Sequence, residues 1–339
     1  MGIYVKLMAA LLSLLLVWPV LLTGAEKPLQ KVILLTSWKQ QAQFAGFYMA
    51  RELGFYRDMG LEVEIRRRPS EGDMVKMLQD GEADILVATL PEGLVMHDRD
   101  PDIINIGQMF QQSSVMIVTR ADRGIHRIAD LNGKVLASWP ANAALITEII
   151  RKEYKLNVDI VYTPSVDEVF LWGIVDGAVM MYYHEYFLLL MSGIKPEELT
   201  VFNLKDLGLD LPEDGIYCLK SQYNHARSLW YKFNLATVRG WQQAFQEETR
   251  TLAVVRGVCG QTGTSFSLPL QRWMIRKLDE VVLAPQSERS PGILDEEAFS
   301  RTAKLMLKHG MIRKLPSYRA FYWGPLSSRK FKPESAGNE

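Results

Sequence analysis

The sequence predicts an α/β protein of two lobes, each built on a mainly parallel β-sheet. The chain has 339 residues, of which 48% are hydrophobic and 23% are charged. This is the composition of a globular protein, and the length exceeds what one hydrophobic core usually serves. From Lys31 onward, short apolar runs alternate with stretches of helical periodicity, and the same order begins again near Ile128. Such alternation is typical of βαβ units, and its repetition indicates two lobes.

The first repeat contains three predicted strands and two predicted helices. The apolar residues 32–35 predict a strand buried on both faces. Residues 43–53 have apolar side chains at helical spacing and end before a glycine, as helices commonly do. Alternating apolar and acidic residues predict a half-buried strand at 61–65. A short helix at 74–78 then precedes a buried strand at 84–88.

The second repeat has the same order of elements. We predict strands at 134–137, 158–162 and 178–181, separated by helices at 143–154 and 166–175. After Tyr217 the pattern becomes helix-rich, with amphipathic stretches at 236–255 and 296–309. Since no low-complexity linker interrupts the chain, we expect crossing strands to join the two lobes into one unit.

The N-terminus has the three parts of a secretory signal. A segment with one positive charge, residues 1–6, precedes the apolar run 7–22 and the small residues 23–25. The sequence therefore predicts a signal peptide at 1–25 and a periplasmic location. An apolar run of this length is close to membrane-spanning length, so an uncleaved anchor remains an alternative.

Charge and motifs exclude several classes of function. Lys and Arg together number 39, as do Asp and Glu, so no positive field exists to attract nucleic acid or an anionic bilayer. The histidines are scattered, and neither Cys218 nor Cys259 has a partner at metal-ligand spacing. The nucleophile elbow, the P-loop and the dinucleotide fingerprint are all absent. We therefore expect a binding protein without metal or cofactor; whether the two cysteines pair is left open.

Polar and aromatic side chains occur where predicted strands end. In an open α/β sheet, ligands bind beyond the carboxyl ends of the strands. Aromatic rings with a few polar groups suit a flat, partly polar small molecule. The predicted ligand-binding residues are Trp38, Gln43, Phe44, Tyr48, Thr89, Ser113, Ser138, Trp139, Tyr182 and Glu185.

The charge preference of the site is indicated by two of these segments. Glu185 follows an apolar strand, where a carboxylate can accept hydrogen bonds from an amino group. The segment 138–142 precedes a predicted helix but lacks the glycines that let an anion approach the backbone closely. The sequence therefore favours an amine over a sulfonate or a phosphate.

Several segments resemble one family of binding proteins. Residues 38–48 (WKQQAQFAGFY), 80–84 (DGEAD), 108–113 (QMFQQS) and 128–134 (IADLNGK) resemble the thiamine-pyrimidine-precursor-binding proteins. These are periplasmic components of ABC importers, akin to the sulfonate- and nitrate-binding proteins. The resemblance continues to residues 310–312 and spans most of the chain after the signal segment.

The resemblance implies the type II periplasmic-binding-protein fold, with a two-strand hinge and a ligand held between the lobes. Lobe 1 would comprise residues 26–117 and 219–339, and lobe 2 would comprise residues 118–218. In this family the residues that match Trp38 and Gln43 line the cleft, and the acid that matches Glu185 can hold a pyrimidine amino group. His184 and Tyr186 depart from the family's Asn and Pro at these positions, and Trp139-Pro140 replaces a glycine-rich segment.

Three functions are compatible with this resemblance. The first is a monomeric solute-binding protein that delivers a small organic ligand, with an aminopyrimidine as best guess, to an ABC permease. The second is a periplasmic sensor that partners a membrane kinase or cyclase. The third is a pyrimidine-forming enzyme of the same fold, although the cysteine-rich motif of those enzymes is absent.

Overall fold

The computed structural model describes residues 28–69, 72–140, 144–283 and 290–325. The predicted signal segment at 1–25 lies outside the described residues. Across the described ranges, no helix has both the length and the apolar character needed to cross a membrane.

The strands of the described chain form two five-stranded sheets. The first sheet has the order β2-β1-β3-β10-β4 and the second has the order β7-β6-β8-β5-β9. The first consists of β1 (Gln30–Thr36), β2 (Leu61–Arg67), β3 (Ile85–Ala88), β4 (Ile103–Gln108) and β10 (Gly215–Leu219). The second consists of β5 (Val115–Arg120), β6 (Val135–Ser138), β7 (Asp159–Tyr162), β8 (Gly177–Met181) and β9 (Leu199–Asn203).

Each sheet contains one reversed strand. In the first sheet, β10 runs antiparallel to β3 and β4, whereas β1 pairs in parallel with β2 and β3. In the second sheet, β5 runs antiparallel to β8 and β9, whereas β6 pairs in parallel with β7 and β8. The predicted fold class, two α/β lobes with mainly parallel sheets, is confirmed, and both reversed strands are those that the chain enters on crossing between lobes.

The chain crosses between the sheets through residues 109–114 and 204–214. Backbone hydrogen bonds tie these two crossing segments together. The N–H groups of Met109 and Phe110 donate to the carbonyl of Asp214, and that of Leu204 donates to the carbonyl of Val115. Because β5 already belongs to the second sheet and β10 to the first, the change of sheet precedes the predicted boundaries at 117/118 and 218/219 by several residues.

Helices cover both faces of the sheets. A continuous helix predicted at 236–255 is two helices that meet at Glu247. The first-lobe helices are α1 (Ala45–Glu52), α2 (Phe55–Asp58), α3 (Met74–Gln79), α4 (Leu90–Arg99), α8 (Lys220–His225), α9 (Arg227–Gln246), α10 (Glu248–Gln261), α11 (Leu268–Val282), α12 (Glu296–Lys308) and α13 (Tyr318–Phe321). The second-lobe helices are α5 (Ala144–Glu153), α6 (Val166–Leu171) and α7 (Glu185–Met191).

Two glycines let α1 approach α9 closely. A Cβ atom at Gly240 would lie 2.1 Å from the carbonyl oxygen of Gly46, and one at Gly46 would lie 2.3 Å from the Trp241 ring. Neither position tolerates a side chain, so α1 lies against the long helix with its backbone in contact. The loop after β1, which leads directly into α1, is thereby fixed relative to the first lobe.

The buried apolar residues form two clusters. One lies in the first lobe around α1 and α9 and contains Phe47, Phe233 and Trp241. The other joins apolar residues of both lobes, such as Leu94 of α4 and Val179 of β8. Cys218 and Cys259 are free, buried thiols.

Candidate functional site: the cleft between the lobes

A cleft lies between the two lobes, at the carboxyl ends of the parallel strands. Ligands of α/β sheets bind at this edge. Residues that follow β1, β2 and β3 line the cleft from the first lobe, and residues that follow β6 and β8 line it from the second. The lining consists of Ser37, Trp38, Gln41, Gln43, Arg68, Thr89, Glu92, Trp139, Ile146, Met181, Tyr183, His184, Glu185, Glu213 and Asp214.

Five of the residues predicted from the sequence lie in this lining. They are Trp38, Gln43, Thr89, Trp139 and Glu185. Their role as ligand contacts stays a prediction. All five lie within a few residues of a predicted strand end: Thr89 and Trp139 directly after a strand, Trp38 and Gln43 in the segment after β1, and Glu185 at the start of α7. Their positions could therefore be predicted from the local sequence.

Two predicted residues of helix α1 and its preceding turn lie in the core instead. Phe44 and Tyr48 have no exposed surface and pack in the first-lobe cluster. The Tyr48 hydroxyl donates to the Gln40 side chain. Residues 42–44 form a short 3₁₀ turn that leads into α1. Phe44 and Tyr48 lie on the side of this helical segment that faces the core.

Three further predicted residues also lie outside the lining. Ser138 is buried, and its hydroxyl is hydrogen-bonded to that of Thr147 in α5. Ser113 lies on the first crossing segment and donates to Glu213. Tyr182 packs beside the cleft, with its ring centroid 5.7 Å from that of Trp273. Each has a structural partner close by, which the sequence alone could not show.

On the first-lobe wall, three side chains form a hydrogen-bonded series that we call the amide chain: Gln41, Gln43 and Asp214. Gln41 Nε2 donates to Gln43 Oε1 over 2.9 Å, and Gln43 Nε2 donates to Asp214 Oδ2 over 2.9 Å. The Ser37 hydroxyl donates to the other carboxylate oxygen over 3.2 Å. Gln41 Oε1, at the open end of the chain, is buried and has no hydrogen-bond partner among the described residues.

Burial dominates the titration of Asp214. It raises the pKa of this carboxyl to about 7, with a further upward contribution from the charge of Glu92. The hydrogen bonds from Gln43 and Ser37 and the positive charge of Arg68 oppose this shift. Asp214 is therefore a carboxyl that changes its charge near neutral pH.

Glu213 joins the two crossing segments. Its carboxylate accepts hydrogen bonds from the hydroxyl of Ser113 and from the backbone N–H and hydroxyl of Ser114. Burial raises the pKa of Glu213 to about 8, against the effect of these donors. The base of the cleft thus contains two consecutive buried acids, one facing the crossing segments and the other facing the first-lobe wall.

On the second-lobe wall, Glu185 orients an indole. Trp139 Nε1 donates to Glu185 Oε1 over 3.0 Å, and the backbone N–H of Met181 donates to Oε2 over 3.0 Å. Burial raises the pKa of Glu185, but the electrostatic interaction with His184 and the hydrogen bond from the Met181 N–H outweigh burial, so the pKa is lowered. His184 Nδ1 lies 3.4 Å from Glu185 Oε1 yet makes no hydrogen bond.

Arg68 has an acidic partner within the cleft. Its guanidinium lies 3.4 Å from Glu92 Oε1, and both side chains are almost fully buried. The other oxygen of Glu92 accepts from the backbone N–H of Thr89, which closes a capping box at the start of α4. Arg68 is thus balanced locally, while three more carboxylates line the same cleft.

Sequence reasoning missed most of the polar lining, including Gln41, Arg68, His184 and the acids that precede β10. Gln41 and His184 are next to predicted residues, and Arg68 follows β2, so their positions carried a usable signal. Glu213 and Asp214 carried none, since β10 itself was not predicted.

Among the described residues, no group of three or more His, Cys, Asp or Glu side chains is arranged to hold a metal ion.

The fold is similar to that of several solved binding proteins. The alkanesulfonate-binding protein SsuA from Xanthomonas axonopodis pv. citri, bound to MOPS, has a TM-score of 0.65 at 13% identity, covering 88% of this chain and 99% of that chain. The periplasmic aliphatic sulphonate binding protein SsuA from Escherichia coli has a TM-score of 0.65 at 14% identity, covering 87% and 97%.

An enzyme shares the fold as well. The desulfurization enzyme DSZB has a TM-score of 0.57 at 13% identity, covering 86% of this chain and 96% of that chain. At such identities the likeness extends to the fold alone, because one fold supports many functions.

Sequence comparison identifies the family. No curated protein matches the chain significantly. The sequence profile described as "NMT1/THI5 like" matches residues 41–250, a region that contains the amide chain, both crossing segments and the whole second lobe. This match covers more than half of the sequence, and the chain belongs to the NMT1/THI5-like family.

Proposed function

We propose that this protein is the periplasmic solute-binding component of an ABC importer and that it captures a small aromatic amine, of the aminopyrimidine class found in thiamine precursors. The observation that carries the proposal is the composition of the interlobe cleft. One indole lies on each lobe, Trp38 and Trp139, and carboxylates outnumber basic groups in the lining.

The lining of the cleft supports a small organic ligand. Small-molecule sites are concave and combine apolar walls with a few polar groups, as this cleft does. The indoles, Ile146 and Met181 supply apolar surface, and the carboxylates and amides supply hydrogen-bond acceptors. Planar heterocycles with amino groups suit this combination.

The charge of the cleft argues against a sulfonate, the ligand class that the names of the two SsuA proteins give. Glu92, Glu185, Glu213 and Asp214 line the cleft, against Arg68 and His184 as basic residues. Arg68 is already paired with Glu92. An anion would therefore meet ionised Glu185 and, as pH rises through about 7, ionised Asp214, whereas an amine would be stabilised by both.

Capture follows from closure of the lobes. We assign the hinge to the crossing segments 109–114 and 204–214, about which hinge closure can bring the two walls together. Contacts that hold the lobes close are already present: Trp273 of α11 stacks on Phe187 of α7 with centroids 4.5 Å apart, and its indole donates to the Tyr182 carbonyl over 3.2 Å. A ligand that bridges the walls favours the closed form, which docks as a monomer on the permease.

A thermal-shift and calorimetry screen of residues 26–339 tests the proposal. The panel contains aminopyrimidines, alkanesulfonates, nitrate, taurine and purines. A ligand at about 100 times its dissociation constant adds about 2.7 kcal/mol of stability, which such a screen detects readily. We expect aminopyrimidines to stabilise the protein and sulfonates to leave it unchanged. Stabilisation by an alkanesulfonate alone would contradict the proposed ligand class, and turnover of a bound compound would contradict a purely binding role.

A further inference from the structure

An unsatisfied acceptor on the first-lobe wall points to how this cleft selects its ligand. Gln41 is 2% exposed and lines the cleft, yet its Oε1 atom has no hydrogen-bond partner. A buried acceptor without a partner costs about 1–3 kcal/mol, so native proteins rarely keep one without a reason. A ligand in the cleft that donates a hydrogen bond to Gln41 would remove this cost.

The orientation of the Gln41 amide follows from Asp214, at the other end of the amide chain. An ionised carboxylate only accepts hydrogen bonds, so the group that Gln43 turns toward Asp214 must be its NH₂ group. Gln43 Oε1 then faces Gln41 and accepts from the Gln41 NH₂ group. The carbonyl oxygen of Gln41, on a side chain that lines the cleft, is then left without a hydrogen-bond partner among the described residues.

The carboxylate is itself held in place from a second side. Ser37 donates to Asp214 Oδ1, while Gln43 donates to Oδ2. The backbone between Gln41 and Gln43 is also held in place, because the N–H of Ala42 donates to the Gln271 side chain over 2.7 Å. The amides therefore have little freedom except to exchange their oxygen and nitrogen ends, and Asp214 decides between these two arrangements.

We infer that Asp214 acts through Gln43 as a positioning residue that presents Gln41 Oε1 to the cleft as an acceptor, so that the cleft selects ligands with an N–H donor over equally shaped ligands with an acceptor there. The inference rests on the proposed function in that it takes the cleft as the ligand site. It is more specific than the proposed function about the ligand: an amino, amidine or ammonium group donates a hydrogen bond to Gln41 Oε1. A site built around a hydrogen bond discriminates strongly against an analogue that cannot form it.

The opposite wall does not make this selection. His184 Nδ1 is the other buried side-chain atom in the cleft lining without a partner among the described residues, and an imidazole nitrogen donates or accepts according to its tautomer. Glu185 already accepts from Trp139 and from Met181. Discrimination between a donor and an acceptor at one position of the ligand therefore belongs to the amide chain.

The test compares two probes of the same shape, 4-(methylamino)pyrimidine and 4-methoxypyrimidine, by calorimetry at about pH 8.5, above the pKa of Asp214 of about 7. The first probe has an N–H group where the second has only an oxygen acceptor. We expect wild-type protein to prefer the methylamino probe by about tenfold or more. The Asp214→Asn variant can orient the amides either way, since its side chain both donates and accepts, so the preference should fall to about threefold or less.

Two further variants complete the comparison. Gln41→Leu should lose the preference by binding the methylamino probe more weakly, while Gln242→Leu, at an exposed position of α9, should behave as wild type. Full preference in the Asp214→Asn variant, or a wild-type preference for the methoxy probe, would overturn the inference.

A second measurement separates this inference from the proposed function. Neutron diffraction from a deuterated crystal of the ligand-free protein at the same pH locates the amide deuterons directly. We expect deuterons on the Gln43 atom that faces Asp214 and none on the Gln41 atom that faces the cleft. The reverse arrangement would overturn the inference even if both pyrimidines bind. If neither pyrimidine binds, the expected arrangement would still support it, and only the proposed ligand would fail.

Discussion

The two walls of the cleft each contain a buried carboxylate, but they use it differently. On the first-lobe wall, Asp214 accepts hydrogen bonds from Gln43 and from the Ser37 hydroxyl, and Gln43 in turn accepts one from Gln41. On the second-lobe wall, Glu185 directly holds the Trp139 indole, with His184 beside it. On each wall one buried polar atom has no hydrogen-bond partner among the described residues: Gln41 Oε1 on the first and His184 Nδ1 on the second. The first wall thus presents side-chain amides oriented by Asp214, and the second presents an indole ring oriented by Glu185.

The two acids are buried to a similar degree, but their pKa values shift in opposite directions. Burial raises the pKa of Asp214 to about 7, whereas the pKa of Glu185 is lowered, since burial is outweighed there by the electrostatic interaction with His184 and the hydrogen bond from the Met181 N–H. The first wall therefore loses its charge in mild acid while the second retains its own. What decides the charge of a buried carboxyl is the character of its nearest partner.

The largest effect that we expect concerns the acids Glu213 and Asp214 and the pH dependence of stability. Their pKa values in the folded protein, about 8 and about 7, are raised above those of the unfolded chain. The stability that they contribute is complete below about pH 4 and is lost as pH rises to about 8. Urea unfolding at about pH 5 and about pH 8.5 should show that wild type loses more stability than the Glu213→Gln/Asp214→Asn variant, by on the order of several kcal/mol.

A smaller effect with the opposite sign is expected at Glu185. Gln has one acceptor oxygen, so in Glu185→Gln the new NH₂ group must face either the Trp139 N–H or the Met181 N–H. We expect the variant to unfold about 1–3 kcal/mol more easily at neutral pH. Because the pKa of Glu185 is lowered on folding, this difference should shrink as pH falls below the range where the carboxyl ionises.

The exposed Glu197 provides the control for that experiment. Glu197→Gln should unfold like wild type at both pH values, because surface substitutions rarely change stability by more than about 0.5 kcal/mol. Equal stability of Glu185→Gln and wild type at neutral pH would show that Glu185 does not hold the second wall. A difference that grows in acid would reverse the sign of its contribution.

The smallest effect that we expect is a change in ligand affinity when His184, which has one of the two buried unpartnered atoms, is replaced. His184→Phe keeps an aromatic ring but removes the nitrogen that lacks a partner. The affinity for an aminopyrimidine found in the screen should fall about five- to tenfold, which corresponds to the loss of one hydrogen bond. Calorimetry of variant and wild type measures the change. Unaltered affinity would show that His184 does not contact the ligand.

Local sequence patterns predicted the strands whose ends form the cleft, and they placed Trp38, Trp139 and Glu185 in its lining, because these residues come soon after apolar runs. Patterns could not decide which side of a short helical segment faces the cleft. Gln43 and Phe44 are neighbours, yet one lines the cleft and the other packs in the core. The acids at 213 and 214 were missed because their environment forms only when the chain returns to the first sheet as β10, a pairing with β3 and β4 over more than 100 residues.

The contact between Gly46 and Gly240 has a consequence for the thermodynamics of association. Because α1 lies against α9 with backbone contact, and Gln271 holds the turn before it, the loop with Gln41 and Gln43 is ordered before any ligand arrives. A ligand that meets a preorganised surface does not spend binding energy on immobilising side chains, at about 0.5–1.5 kcal/mol each. The entropy that remains to be lost is that of the ligand and of the relative motion of the two lobes.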